Sequence, residues 1–141
     1  MATTAEVSNH HKYQQIIGNI DFSTDVHKII LMNDTYVFDP DTDSTLSGIT
    51  ADQLPTANGY TQDDFILQNI SITQDDTNDR VHITWDNPSW TVTSGTIGPT
   101  GSSIVYNDTT SDKTVVGAIT FERDYTVGQT LEIQDIVFNL N

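Results

Sequence analysis

The chain reads as all-β: a single antiparallel β-sandwich or jelly-roll-like barrel of about eight short strands, preceded by a short N-terminal arm or helix. Three observations carry that expectation. Apolar residues recur with period two in several short runs, where a helix would space them by three and four. Turns rich in Asp, Asn, Gly and Thr separate those runs. Both tryptophans, Trp85 and Trp90, fall in one β-type segment, Arg80 to Tyr106, and are expected to be core residues.

Residues 1–9 are small and polar and are expected to form an arm or frayed end. A short helix is predicted from Asn9 to Ile17, capped by Asn9 and stopped by Gly18, with Tyr13, Ile16 and Ile17 on one stripe. The domain division is therefore 1–17 as arm or helix and 18–141 as the sandwich. Val26 to Met32 is the first strand, apolar on both faces and so expected at the centre of a sheet. The following stretch, 33–59, is loop-like, and a loop of ~25 residues is usually functional or interface-forming. Within it Thr50 and Gln53 match a capping box, with Ile49 facing Leu54 and Pro55 ending the turn.

Asn58-Gly59 marks a tight turn into a strand from Phe65 to Gln74, where Ile66, Ile70 and Ile72 alternate with polar residues. In the Arg80–Tyr106 segment, Val81, Ile83 and Trp85 share one face, and Asp86-Asn87-Pro88 interrupts the run because Pro88 has no N–H for a ladder. Trp90 and Val92 resume the alternation, glycines 95, 98 and 101 turn it, and Ser103 to Tyr106 is a third run. Thr114 to Phe121 is apolar on both sides, and the chain ends with Leu131, Ile133, Ile136, Phe138 and Leu140 as inward positions.

Composition removes several functions. At 141 residues the expectation is one domain with its own core, and the absence of cysteine excludes disulfides and thiol chemistry. Twenty acidic residues against five basic give a net charge of -15. Nucleic acid and anionic membrane surfaces are therefore excluded as partners, since each requires a basic footprint. The N-terminal residues contain no apolar run of signal-peptide length, and no stretch resembles a membrane span.

Candidate chemistry is sparse. Asp34, Asp39, Asp41 and Asp43 would be the ligands if the acidic loop held calcium, because oxygen donors at alternate positions suit that ion. Ser44 and Thr45, however, occupy the place of the loop's glycine, and Thr50 stands where a bidentate glutamate belongs. A solvated or interface loop is expected instead, without metal or cofactor. The four histidines form no triad or metal motif, and no nucleophile elbow or phosphate loop is present, so no enzyme is expected. Trp85, Trp90, Tyr60 and Tyr106 are the rings available for stacking on a sugar, but the periodicity of the tryptophans is that of packing residues.

The order of features nonetheless resembles a family. A Gly18–Phe22 stretch (GNIDF) precedes a strand that ends in a Tyr-containing Asp-rich loop. Asn58-Gly59-Tyr60-Thr61, a Thr-Trp pair, Ile104 to Thr109 (IVYNDT) and Asp112 to Phe121 (DKTVVGAITF) follow. From about residue 18 onward this is similar to small β-rich virion structural proteins of tailed bacteriophages. The resemblance implies a non-enzymatic capsid cement, or decoration, protein on the surface of the virion, assembled in the host cytoplasm. Its implied partners are the major capsid protein and copies of itself, with a trimer favoured. Tyr13, Ile16 and Ile17 are the expected partner interface. The alternative is a tail- or fibre-associated virion protein, including a receptor- or glycan-binding module.

Overall fold

In the computed structural model, which describes residues 3–127 and 129–140, two long antiparallel strands form the spine: β6 (Thr96–Asn107, 12 residues) and β7 (Val115–Val127, 13 residues). β1 (Thr3–Val7) pairs with the outer side of β7 and β2 (His27–Asn33) with the outer side of β6, giving a sheet of order β1-β7-β6-β2. A second layer is built from β3 (Ser71–Asp75), β4 (Arg80–Thr84) and β9 (Val137–Leu140) in the order β3-β4-β9. β5 (Ser89–Thr91) and β8 (Thr130–Glu132) form a separate two-stranded ribbon, whose Trp90 and Leu131 join the same core. The chain is thus an all-β, sandwich-like fold of antiparallel sheets.

Strand alternation divides the apolar residues between two cores. Ile29, Leu31, Val105, Val116 and Ile119 face the second layer, where they meet Ile83, Trp85, Trp90, Leu131, Ile136 and Phe138. Ile30, Met32, Ile104, Tyr106, Val115 and Ala118 point to the other face of the four-stranded sheet. That face is closed by the long loop, which lays Tyr36, Phe38, Leu46 and Ile49 against it. Backbone bonds from Leu46 to the Lys113 carbonyl and from Val115 to the Ser44 carbonyl pin the loop down. The acidic segment is therefore a lid over a second core, with its polar residues outward.

The parity of β7 changes at a bulge. Tyr106 pairs with Val115 and Val105 with Gly117, so Val116 is the additional residue. Gly117 then faces the main core beside Val116 and runs close under β1. A Cβ there would lie 2.1 Å from the Glu6 carbonyl oxygen and 2.7 Å from Phe138 Cε1. Only glycine fits.

Several expectations are corrected. β2 lies at an edge of its sheet, not at the centre. Its apolar faces are both buried as expected, but its outer edge is covered by irregular chain: Ile29 N–H donates to the Phe65 carbonyl, Leu67 N–H to His27 and Leu54 N–H to Leu31. The expected strand from Phe65 is regular only over Ser71–Asp75, because residues 65–67 are used to seal β2. Leu67 is the buried residue there, whereas Ile66 and Ile72 are exposed. Thr3–Val7 is a paired strand and not a frayed arm. The hydrophobic staple does not form: Ile49 belongs to the second core and Leu54 to the first, and Thr50 lies inside a single 3-10 turn, Thr50–Asp52, without capping it.

The Asn58-Gly59 turn takes the form its sequence predicts. Both residues have positive φ (61° and 108°), and Ala57 and Tyr60 exchange backbone bonds of 2.9 Å, as in a type I′ hairpin turn. A Cβ on Gly59 would meet the Thr91 carbonyl oxygen at 2.1 Å. The turn delivers Tyr60 into the main core, where its hydroxyl accepts bonds from the Leu31 N–H and the Gln53 side chain.

Candidate interaction surface

The short helix α1 (Asn9–Ile16) joins the N-terminal strand to the sandwich. Ser8, not Asn9, is its N-cap residue, and no side chain caps it. Asn9 instead donates its side-chain amide to Asp41 and its backbone N–H to the Pro40 carbonyl, tying the helix start to the acidic loop. The C-terminal end is a Schellman motif. Gly18 has φ +85°, its N–H reaches the Gln15 carbonyl, and the Asn19 N–H reaches Gln14.

α1 is anchored by an unexpected residue, His11. Its side chain is fully buried, its ring centroid is 5.0 Å from that of Phe22, and neither ring nitrogen has a hydrogen-bond partner. Phe22 in turn stacks on buried His27 at 5.2 Å and 15°, and His27 lies 5.3 Å from Trp85. Burial is the main reason both imidazoles are pushed down to about 4. Mutual repulsion and that of His10 add to it for His11, while neighbouring Asp25 opposes it for His27. Both rings are therefore neutral at pH 7. A second tie comes from His10, whose Nε2 lies 2.9 Å from Asp112 Oδ2.

With His11 turned inward, the opposite side of α1 faces solvent. Ile16 is 86% exposed, Tyr13 60% and Ile17 50%. Gln15 and Gly18, on either side of Ile16 and Ile17 in the chain, line an open groove of about 470 Å³. Ile20, Phe22 and Ile83 form its floor, with Ile72, Val81 and Leu140 along the second layer. Pairing explains the arrangement. Ile72 opposes Ile83, which opposes Phe138, and one step on Gln74 opposes Val81, which opposes Leu140, so all six share the inward face. Ile83 and Phe138 are covered, but Ile72 and Val81 remain 45% and 37% exposed because the layer extends past its cover.

The other expected residues are placed differently. Trp85 and Trp90 are both buried in the main core, Trp90 against Tyr60 and Phe65. Tyr60 and Tyr106 are buried too, so none of the four rings offers a face to a sugar. In the acidic loop, Asp43 accepts bonds from the Tyr36 hydroxyl (2.7 Å) and the Asp39 N–H, while Asp39 accepts from the Asp41 N–H. Burial and the bond to Asp43 push the Tyr36 phenol up. These carboxylates are occupied in holding the turn. Among the described residues no three His, Asp or Glu side chains, Asp34 included, are grouped to hold a metal ion.

Sequence reasoning found the exposed helix face but missed His11 and the groove. A histidine beside another near the start of a chain gives no sign of burial, and Ile72 and Val81 carry the periodicity of core residues. Set against known proteins, the chain matches no family model, and no curated protein or solved structure is similar to it.

Proposed function

We propose that the chain is a non-enzymatic virion structural protein of a tailed bacteriophage, a capsid cement protein that binds and stabilises the head shell. The observation that carries this reading is the apolar surface of Tyr13, Ile16 and Ile17, continued by the groove, on a body of net charge -15. Exposed apolar area of that kind is typical of a surface that is covered in use. The acidic remainder opposes indiscriminate association. A cement protein also needs a rigid body, and here two cores, a sealed β2 edge and a pinned loop supply it.

The partners under this reading are the major capsid protein and further copies of the chain, with a trimer at the surface of the virion. Mixing purified protein with heads that lack it tests the reading. Saturable binding in fixed proportion to capsid subunits is expected, weakened at least tenfold by Ile16→Asp and Ile17→Asp together. Failure to bind heads contradicts it, and recovery with isolated tails or fibres would assign the chain there instead.

A further inference from the structure

We infer that the groove between the Gly18–Ser23 segment and the inward face of β3, β4 and β9 is a docking site for a partner segment that presents an apolar side chain flanked by lysine or arginine. This rests on the capsid-binding reading and names the chemistry of the surface that would be gripped.

The floor sets the apolar half of that description. Ile20, Phe22 and Ile83 are already packed, so an incoming side chain gains its burial chiefly from the exposed Ile72 and Val81, with partly buried Leu140 beside them. The rims set the charge. Asp21 lines one side, and hydrogen bonds from Ser23 hold its carboxyl below the usual carboxylate range, so it is ionised at neutral pH. On the other side, Gln74, which shares the inward face with Val81, donates its side-chain amide to the Asp76 carboxylate and so holds that charge at the hairpin end of the groove. Asp75 and Arg80, the next pair along, turn to the opposite face, where Arg80 Nε lies 3.0 Å from Asp75 Oδ2. The charged groups placed at the groove are therefore Asp21 and Asp76, both acidic. A second copy of the chain, itself at -15, would bring like charge to this surface, which disfavours it as the occupant. A segment of opposite sign meets both demands.

The test uses a synthetic peptide of alternating leucine and lysine as probe, with a leucine–glutamate peptide of the same length as control. Binding to the full chain is followed by fluorescence anisotropy. The leucine–lysine peptide is expected to bind saturably, the control not to bind, and Val81→Asp and Ile72→Asp each to weaken binding at least tenfold. Both sites are partly exposed, and a melting curve by circular dichroism verifies that each variant folds. The direction of the effect is diagnostic, because either substitution makes the protein more negative and would strengthen purely electrostatic attraction.

Unchanged or tighter binding to the variants would overturn the inference. So would equal affinity for the two peptides, or a homodimer that Val81→Asp abolishes. If the wild-type chain binds the peptide but not heads, the capsid reading falls and the groove stands. If Val81→Asp keeps full affinity for heads, the groove is overturned as the gripping surface and the capsid reading stands.

Discussion

Gly117→Ala is expected to destabilise the fold by about 3 kcal/mol, at the upper end of the range for overpacking a core, and Gly117→Val to prevent folding. The added Cβ would fall 2.1 Å from the Glu6 carbonyl oxygen, a backbone atom held in the β1–β7 ladder, and 2.7 Å from the ring of Phe138. Neither obstacle is the mobile end of a long side chain. Relief requires β1 to move off the sheet edge or Phe138 to leave the core, where it is fully buried. Denaturant midpoints of wild type, Gly117→Ala, Phe138→Leu and the double variant measure the effect. The two substitutions should couple, with the double variant more stable than the sum of the single effects predicts. A change below about 0.5 kcal/mol for Gly117→Ala, the scale of an ordinary surface substitution, would contradict the placement of β1 over the bulge.

Acid is expected to unlock the sandwich in a window set by His11 and His27. Both rings are buried and neutral, with folded-state values of about 4 against 6.5 in the unfolded chain. The unfolded state therefore binds more protons as pH falls below 6.5. Stability is full above that value and declines until pH reaches about 4, below which the two histidines cost no more. Each contributes about 1.4 kcal/mol per pH unit inside the window, or roughly 3 kcal/mol by pH 4. The pair would remove much of the 5–15 kcal/mol typical of a domain.

Asp21, Asp75, Asp108 and Asp112 are held below the usual carboxylate range, so their losses begin only in stronger acid. The two windows separate. Equilibrium unfolding at pH 7, 6, 5 and 4 checks the slope. His11→Phe, which keeps a ring against Phe22, should be close to neutral at pH 7 and remove about half the slope. A variant that retains the wild-type slope would contradict the role given to His11.

Much of this architecture is legible in the sequence, for reasons visible at particular residues. The period-two runs hold because a strand with one buried face admits no other pattern. Ile29 to Met32 shows that both faces are buried because the run has no polar break. Asn58-Gly59 specifies its turn because positive φ at two consecutive positions excludes most other pairs. What cannot be read is set by distant contacts. The bulge at Val116 follows from how β6 and β7 meet, and nothing local distinguishes Gly117 from a turn glycine. The edge position of β2 depends on residues 53–67 folding back over it. The candidate surface divides in the same way. Tyr13, Ile16 and Ile17 stand out as apolar residues on a short polar helix. Ile72 and Val81 look like core because exposure depends on where the opposite layer ends.

An image of the intact particle at side-chain resolution is the decisive test of the proposal that this chain is a cement protein of a phage head. Density for the sandwich is expected on the outer surface of the shell, in copies proportional to capsid subunits, with α1 and the groove turned toward the shell. A head surface without that density, or density for the chain confined to the tail, would contradict it.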